Sequence, residues 1–331
     1  MRVSRWQIAQ TIAYEDLTLS IETIDRYLKE SKSVQNLVQT SVKRLELVIT
    51  EAEGDYTEIP TTAERMSNHE TRPLPDIPQS IVTTDDGWIH VKGNLVRFAS
   101  RLDHMPRMKS FSFVLFVYFE PSPVQDDVLF TSISTLLCSL PTTLASLTID
   151  NSGAPSSPNP EPRSRHNHFC SLLLNKNFMP HLRHLCIRSR NICPEILEAF
   201  SSDQYARLES VIINLSLGRE DRPGLSKVFY AHFCSGFQSN GKDLYSSLID
   251  AAKAILPRLP SLKTFRIIRQ NFPSEDFFSF DVTCNRRVEL PSGIHWKATG
   301  SVDADDDECS SEGSEWSQDS AFSPESVDET S

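Results

Sequence analysis

Imidazole and thiol side chains gather in one stretch of the chain, at His166, His168, Cys170, His181, His184 and Cys186. Both groups are good zinc ligands, and two clusters about a dozen residues apart have the outline of a finger. The detail argues otherwise. His-x-His-x-Cys is not a common chelating hook, and the two clusters fall on a helix and a strand. In the strand, His184, Cys186 and Arg188 alternate with the apolar Leu185 and Ile187, as sheet-surface residues do. No metal site is expected here.

Other chemistries lack their residues. Gly241-Lys242 follows no glycine-rich loop, and there is no Gly-x-Ser-x-Gly elbow, paired-glycine fingerprint or His-Glu-x-x-His helix. Asp85-Asp86-Gly87, between Ile81-Val82 and Trp88-Ile89, reads as a hairpin turn rather than a cation site. With 11 glycines, the chain has few places where backbone can approach a nucleotide closely. The expectation is a protein with no catalytic residue and no cofactor. The competing enzymatic reading is a hydrolase or metal-dependent enzyme using the His/Cys cluster around 166–186.

The elements that would position these groups follow one recurring pattern: apolar, two residues of any kind, apolar, one of any kind, apolar. Copies start at Val42 (with Leu45, Leu47), Met108 (Phe111, Phe113), Leu144 (Leu147, Ile149), Leu182 (Leu185, Ile187), Leu208 (Val211, Ile213) and Leu262 (Phe265, Ile267), and Leu17 with Leu19 suggests an earlier one. The last two apolar positions alternate, as a strand with one buried face requires. Prolines precede four copies, in Met105-Pro106, Leu140-Pro141, Met179-Pro180 and Leu259-Pro260, where they end a helix and begin an extended segment. Between the copies, helical spacing is expected over Ile21–Leu37, around Leu95, Phe98 and Leu102, and over Val128–Leu140, Phe169–Leu174, Ile196–Phe200 and Leu244–Leu256. Helix-then-strand repetition is what a parallel sheet needs. Unequal spacing between copies leaves an irregular α/β domain as the alternative.

Leu182-Arg-His-Leu-Cys-Ile and Leu208-Glu-Ser-Val-Ile-Ile resemble the degenerate leucine-rich repeats of filamentous-fungal F-box proteins. Tyr14-Glu-Asp-Leu-Thr-Leu-Ser, a helix, and Ser41-Val-Lys-Arg-Leu-Glu-Leu look like the first repeat after the F-box in such proteins. The F-box is not visible before Tyr14, and Arg190 stands where many leucine-rich repeats carry a closing Asn. The resemblance, over roughly residues 10–300, implies an α/β fold: an irregular leucine-rich-repeat-like solenoid with a parallel sheet on the concave face and helices outside. It also implies a substrate-recruiting role, with a cullin-ligase adaptor as a partner.

Residues 1–300 are expected to form this domain, with mobile loops at 54–80 and 151–166, followed by a disordered acidic, serine-rich tail at 301–331. The tail holds eleven acids and no Lys or Arg, so the net charge of -11 belongs to it and the body is formally neutral. A neutral body lacks the positive excess that phosphate-backbone binding needs, so nucleic acid is not an expected partner. The tail suggests a regulatory alternative, with Ser323-Pro324 a candidate proline-directed phosphorylation site. Arg72-Pro-Leu-Pro-Asp-Ile-Pro78 has the spacing of a polyproline ligand for an SH3-type groove.

The seven cysteines are widely spaced, with no disulfide framework, and fit reduced thiols. Without a secretory signal or a long apolar run, the chain is expected to be intracellular, cytoplasmic or nuclear, with no membrane span. The expected function is a non-catalytic protein-binding scaffold. Its partner should lie on the concave face, against Arg44, Glu46, Ser112, Thr148, Asp150, His184, Cys186, Arg188, Asn214 and Arg266, with Ser110, Ser146, Ser210 and Thr264 beside them.

Overall fold

The computed structural model describes residues 14–50, 85–117, 123–153, 170, 173, 178–200, 207–217, 231–234, 241–270 and 277–290. All belong to one unit, Met1–Ala298. The candidate SH3 ligand at Arg72–Pro78, the Gly54–Ser80 segment and the acidic tail lie outside the described residues.

The protein is α/β, built on a nine-stranded sheet whose spatial order is the chain order. The strands are β1 (Asp16–Leu19), β2 (Arg44–Thr50), β3 (Ser110–Val117), β4 (Ser146–Gly153), β5 (His184–Ser189), β6 (Ser210–Asn214), β7 (Thr264–Gln270), β8 (Phe277–Asp281) and β9 (Arg286–Leu290). The first seven run parallel, and β7, β8 and β9 are antiparallel. Each apolar triplet is a strand entrance, and the register follows the pattern residue for residue. Leu17, Leu45, Phe111, Leu147, Leu185, Val211 and Phe265 form one cross-strand row; Leu19, Leu47, Phe113, Ile149, Ile187, Ile213 and Ile267 form the next. A one-residue slip would turn a whole row out of the core.

The entrances share a backbone device. The carbonyl of Glu15 accepts from the N–H groups of both Lys43 and Arg44, and Lys43, Lys109, Ala145, Arg183 and Glu209 do the same for the next strand in turn. Just before, Met108 N–H donates to the Met105 carbonyl, Leu144 to Pro141, Leu182 to Met179 and Leu262 to Leu259. The proline-marked turns thus deliver each strand in the same register.

The helices with described bounds are α1 (Ile21–Lys29), α2 (Lys32–Ser41), α3 (Asp85–Leu102), α4 (Pro123–Cys138) and α5 (Leu244–Ile255), with 3-10 turns at Met179–His181, Pro194–Phe200 and Leu256–Arg258. Their apolar residues, such as Ile24, Leu95, Phe98, Leu136 and Leu248, share one core with the two rows of strand residues. The apolar spacing over Ile21–Leu37 resolves into two helices. Ser31 caps the second, and the buried Gln35 side chain donates to the Tyr27, Leu28 and Glu30 carbonyls at the end of the first.

Two local expectations are corrected. Asp85-Asp86-Gly87 is not a hairpin but the start of α3, because Trp88 and Val91 carry the spacing of Leu95, Phe98 and Leu102 back by two turns and are buried with them. The expected loop does not start at Asn151: Asn151, Ser152 and Gly153 complete β4, paired to Leu115, Phe116 and Val117, and residues 154–166 lie outside the described residues. The antiparallel end of the sheet was not anticipated. Its hairpin turns where Asp281 accepts from the N–H and hydroxyl of Thr283, and Asn285 takes a left-handed φ of 50°.

Candidate binding face and a buried thiol cluster

Opposite the core, the even positions of the strands form rows that are polar at the entrances and mixed farther along. Asp16, Arg44, Ser110, Ser146, His184, Ser210 and Thr264 align at the entrances; Thr18, Glu46, Ser112, Thr148, Cys186, Ile212 and Arg266 come next; then Val48, Val114, Asp150, Arg188, Asn214 and Ile268. The ten residues expected to bind a partner thus stand on one face of one sheet.

Their accessibility divides them. Arg44 and His184 are exposed, and Glu46, Ser112, Thr148 and Cys186 are half-buried. Arg44 pairs with Asp16, whose carboxyl the guanidinium holds below the usual carboxylate range. Glu46 accepts long hydrogen bonds of 3.4 Å from both the Thr18 and Ser112 hydroxyls, linking three strands.

Asp150, Arg188, Asn214 and Arg266, also expected on the partner-binding surface, are buried. The Arg188 Nε and Nη2 donate to the two Asp150 oxygens, each at 2.7 Å. Arg266 lies 3.6 Å from Asp281 of β8. Asn214 Oδ1 accepts from Ser216 N–H at 2.9 Å, while its Nδ2 is buried without a partner. Ile212 and Ile268 interrupt the polar rows and pack with Cys186 in a small second apolar cluster. Strand alternation fixes which face a side chain takes, but not what covers that face.

Among the described residues, the His/Cys group of the sequence does not assemble. His181 is exposed on a 3-10 turn, His184 and Cys186 lie on the polar face, and Cys170 is buried in the core; His166 and His168 lie outside the described residues.

Cys170 meets different thiols. Its Sγ and those of Cys193 and Cys234 all lie within 4.8 Å of one another, buried. Cys170 Sγ is 3.7 Å from Cys234 Sγ, accepts from the Cys193 N–H at 3.3 Å and donates to the Cys193 carbonyl at 3.6 Å. Backbone bonds stitch the surrounding segments: Ile192 N–H donates to the His232 carbonyl, His232 to Arg190, and Ala231 to Leu215. Burial pushes the Cys170 thiol far up, whereas hydrogen bonds from Cys170 and Cys193 hold Cys234 well below the usual thiol range. The long spacing between these cysteines carries no motif, so the sequence reading missed the cluster. The apolar neighbours of Cys170, Cys193 and Cys234 were the available signal, since they mark all three as core positions.

No family model, curated protein or solved structure matches this chain. No helix among the described residues is long and apolar enough to cross a membrane.

Proposed function

We propose that the chain is a non-catalytic protein-binding scaffold, an irregular leucine-rich-repeat-like solenoid that grips a polar protein surface with the entrance half of its sheet. One observation carries this reading: successive parallel strands present a register-matched polar strip, with Arg44, Glu46, Ser112, Thr148, His184 and Cys186 reachable opposite the core. The repeated entrance carbonyl and sequential strand order support a solenoid, because right-handed parallel crossovers that always advance in one direction put their helices on one side. Mixed charge and hydroxyls on the strip suit a protein partner better than an apolar ligand. In this reading the protein resembles the substrate-recruiting part of F-box proteins, and a cullin-ligase adaptor is the partner class that would join it to ubiquitin transfer.

The test is affinity purification of the tagged full chain from its native cells, comparing wild type with Arg44→Glu plus His184→Glu. These two residues are exposed, so the variant should keep its circular dichroism spectrum and unfolding midpoint. A partner purified from this experiment should bind the variant about tenfold or more weakly than wild type. Equal binding by both proteins would rule out the strip, and co-purifying cullin-ligase subunits would support the recruiting role.

A further inference from the structure

We propose that Cys170, Cys193 and Cys234 form a three-thiolate site for a zinc-class thiophilic cation. Three of the six described cysteines converge on one point, from segments separate in the chain. A tetrahedral zinc with bonds of about 2.3 Å to sulfur sets its thiolates about 3.8 Å apart. The Cys170 and Cys234 sulfurs already stand 3.7 Å apart. With every pair within 4.8 Å, the widest gap needs to close by no more than about 1 Å to meet that geometry.

The second support is rigidity. The His232 N–H and carbonyl bond the backbones of Arg190 and Ile192, fixing the chain next to Cys193 against the chain next to Cys234. The Cys193 N–H pointing at Cys170 Sγ supplies the kind of hydrogen bond that orients and stabilises a ligating sulfur. Soft sulfur donors select zinc or copper(I) over magnesium or calcium. Each thiol binds as its thiolate and gives its proton to solvent; no sulfur is oxidised, and one coordination position remains for a light donor.

The experiment uses the full chain, purified under reducing conditions, stripped with a chelator and titrated with cobalt(II), then zinc. One equivalent of cobalt should bring up thiolate-to-cobalt charge-transfer absorption and the intense visible bands of a tetrahedral site, and zinc should abolish both. Cys170→Ser, Cys193→Ser and Cys234→Ser should each weaken cobalt binding roughly a hundredfold. Cys138→Ser and Cys284→Ser, at exposed thiols, should bind as wild type does. Should a core variant fail to fold, the wild-type spectrum decides. A wild-type protein that shows no charge-transfer band, or a non-reducing peptide map that joins Cys170 to Cys234 in the protein as isolated, would overturn the proposal.

Discussion

Arg188 and Asp150 face each other in register on β5 and β4 and close a bidentate ion pair with both hydrogen bonds at 2.7 Å. The side chains are only 10% and 4% exposed, so neither charge has water to fall back on. Removing one side of a buried ion pair typically costs about 3–5 kcal/mol, whereas replacing both with apolar residues of similar volume is often neutral or better. Arg188→Met is therefore expected to lower the urea unfolding free energy by about 3–5 kcal/mol, and Asp150→Leu combined with Arg188→Met should recover most of that loss. A double variant no more stable than the single one would show that the pair itself holds the strands.

Trp88 decides the start of α3. Its side chain is fully buried, with the indole N–H unpaired. Trp88→Ala should destabilise by about 3–5 kcal/mol, from lost burial and the cavity left behind. Trp88→Phe should cost clearly less, since it keeps most of the packing and deletes the unsatisfied donor. Thermal unfolding of the two variants checks the order.

Asp243 caps α5, accepting from the Ser246 N–H at 3.0 Å and the Ser246 hydroxyl at 2.8 Å. Partial burial pushes its carboxyl up, but these hydrogen bonds outweigh burial and leave it below the ordinary value. A carboxyl whose pKa is lowered on folding contributes stability above its unfolded pKa of about 3.9, and that contribution is lost as the pH falls through the folded value. Asp243→Ala should cost about 1 kcal/mol at neutral pH, with Asp243→Asn costing less. Below about pH 4 the difference between wild type and Asp243→Ala should shrink. Urea unfolding measured across that range is the check.

Asn285 closes the β8–β9 hairpin with φ of 50°, a conformation that only glycine takes without strain and that asparagine tolerates better than most residues. Asn285→Val should destabilise by about 1–2 kcal/mol, while Asn285→Gly should stay near wild type. Chemical unfolding again separates the outcomes.

Much of the fold was legible in the sequence because strand burial is a local signal. The period-two alternation at Leu45 and Leu47, Phe111 and Phe113, or Leu185 and Ile187 states which side chains face inward, and the prolines mark where the strands begin. The faint Leu17 and Leu19 signal proved to be β1, paired to Leu45 and Leu47. The β8–β9 hairpin was less readable. Phe277-Phe-Ser-Phe sets apolar residues at adjacent positions, so alternation does not mark its inward face, and Phe278 also stacks under the Arg287 guanidinium, 3.5 Å from its ring centre.

The sequence by itself determined the seven parallel strands, their inward faces and the neutral body with its acidic tail, since each depends on neighbours along the chain. Only the tertiary structure decided which polar residues remain within reach and which thiols meet. Arg44 and Arg188 occupy the same face, yet one is exposed and the other buried against Asp150. Alternation says nothing about what crosses a face farther along the strands. Cys170, Cys193 and Cys234 look isolated in the chain, and long-range packing brings their sulfurs within 4.8 Å.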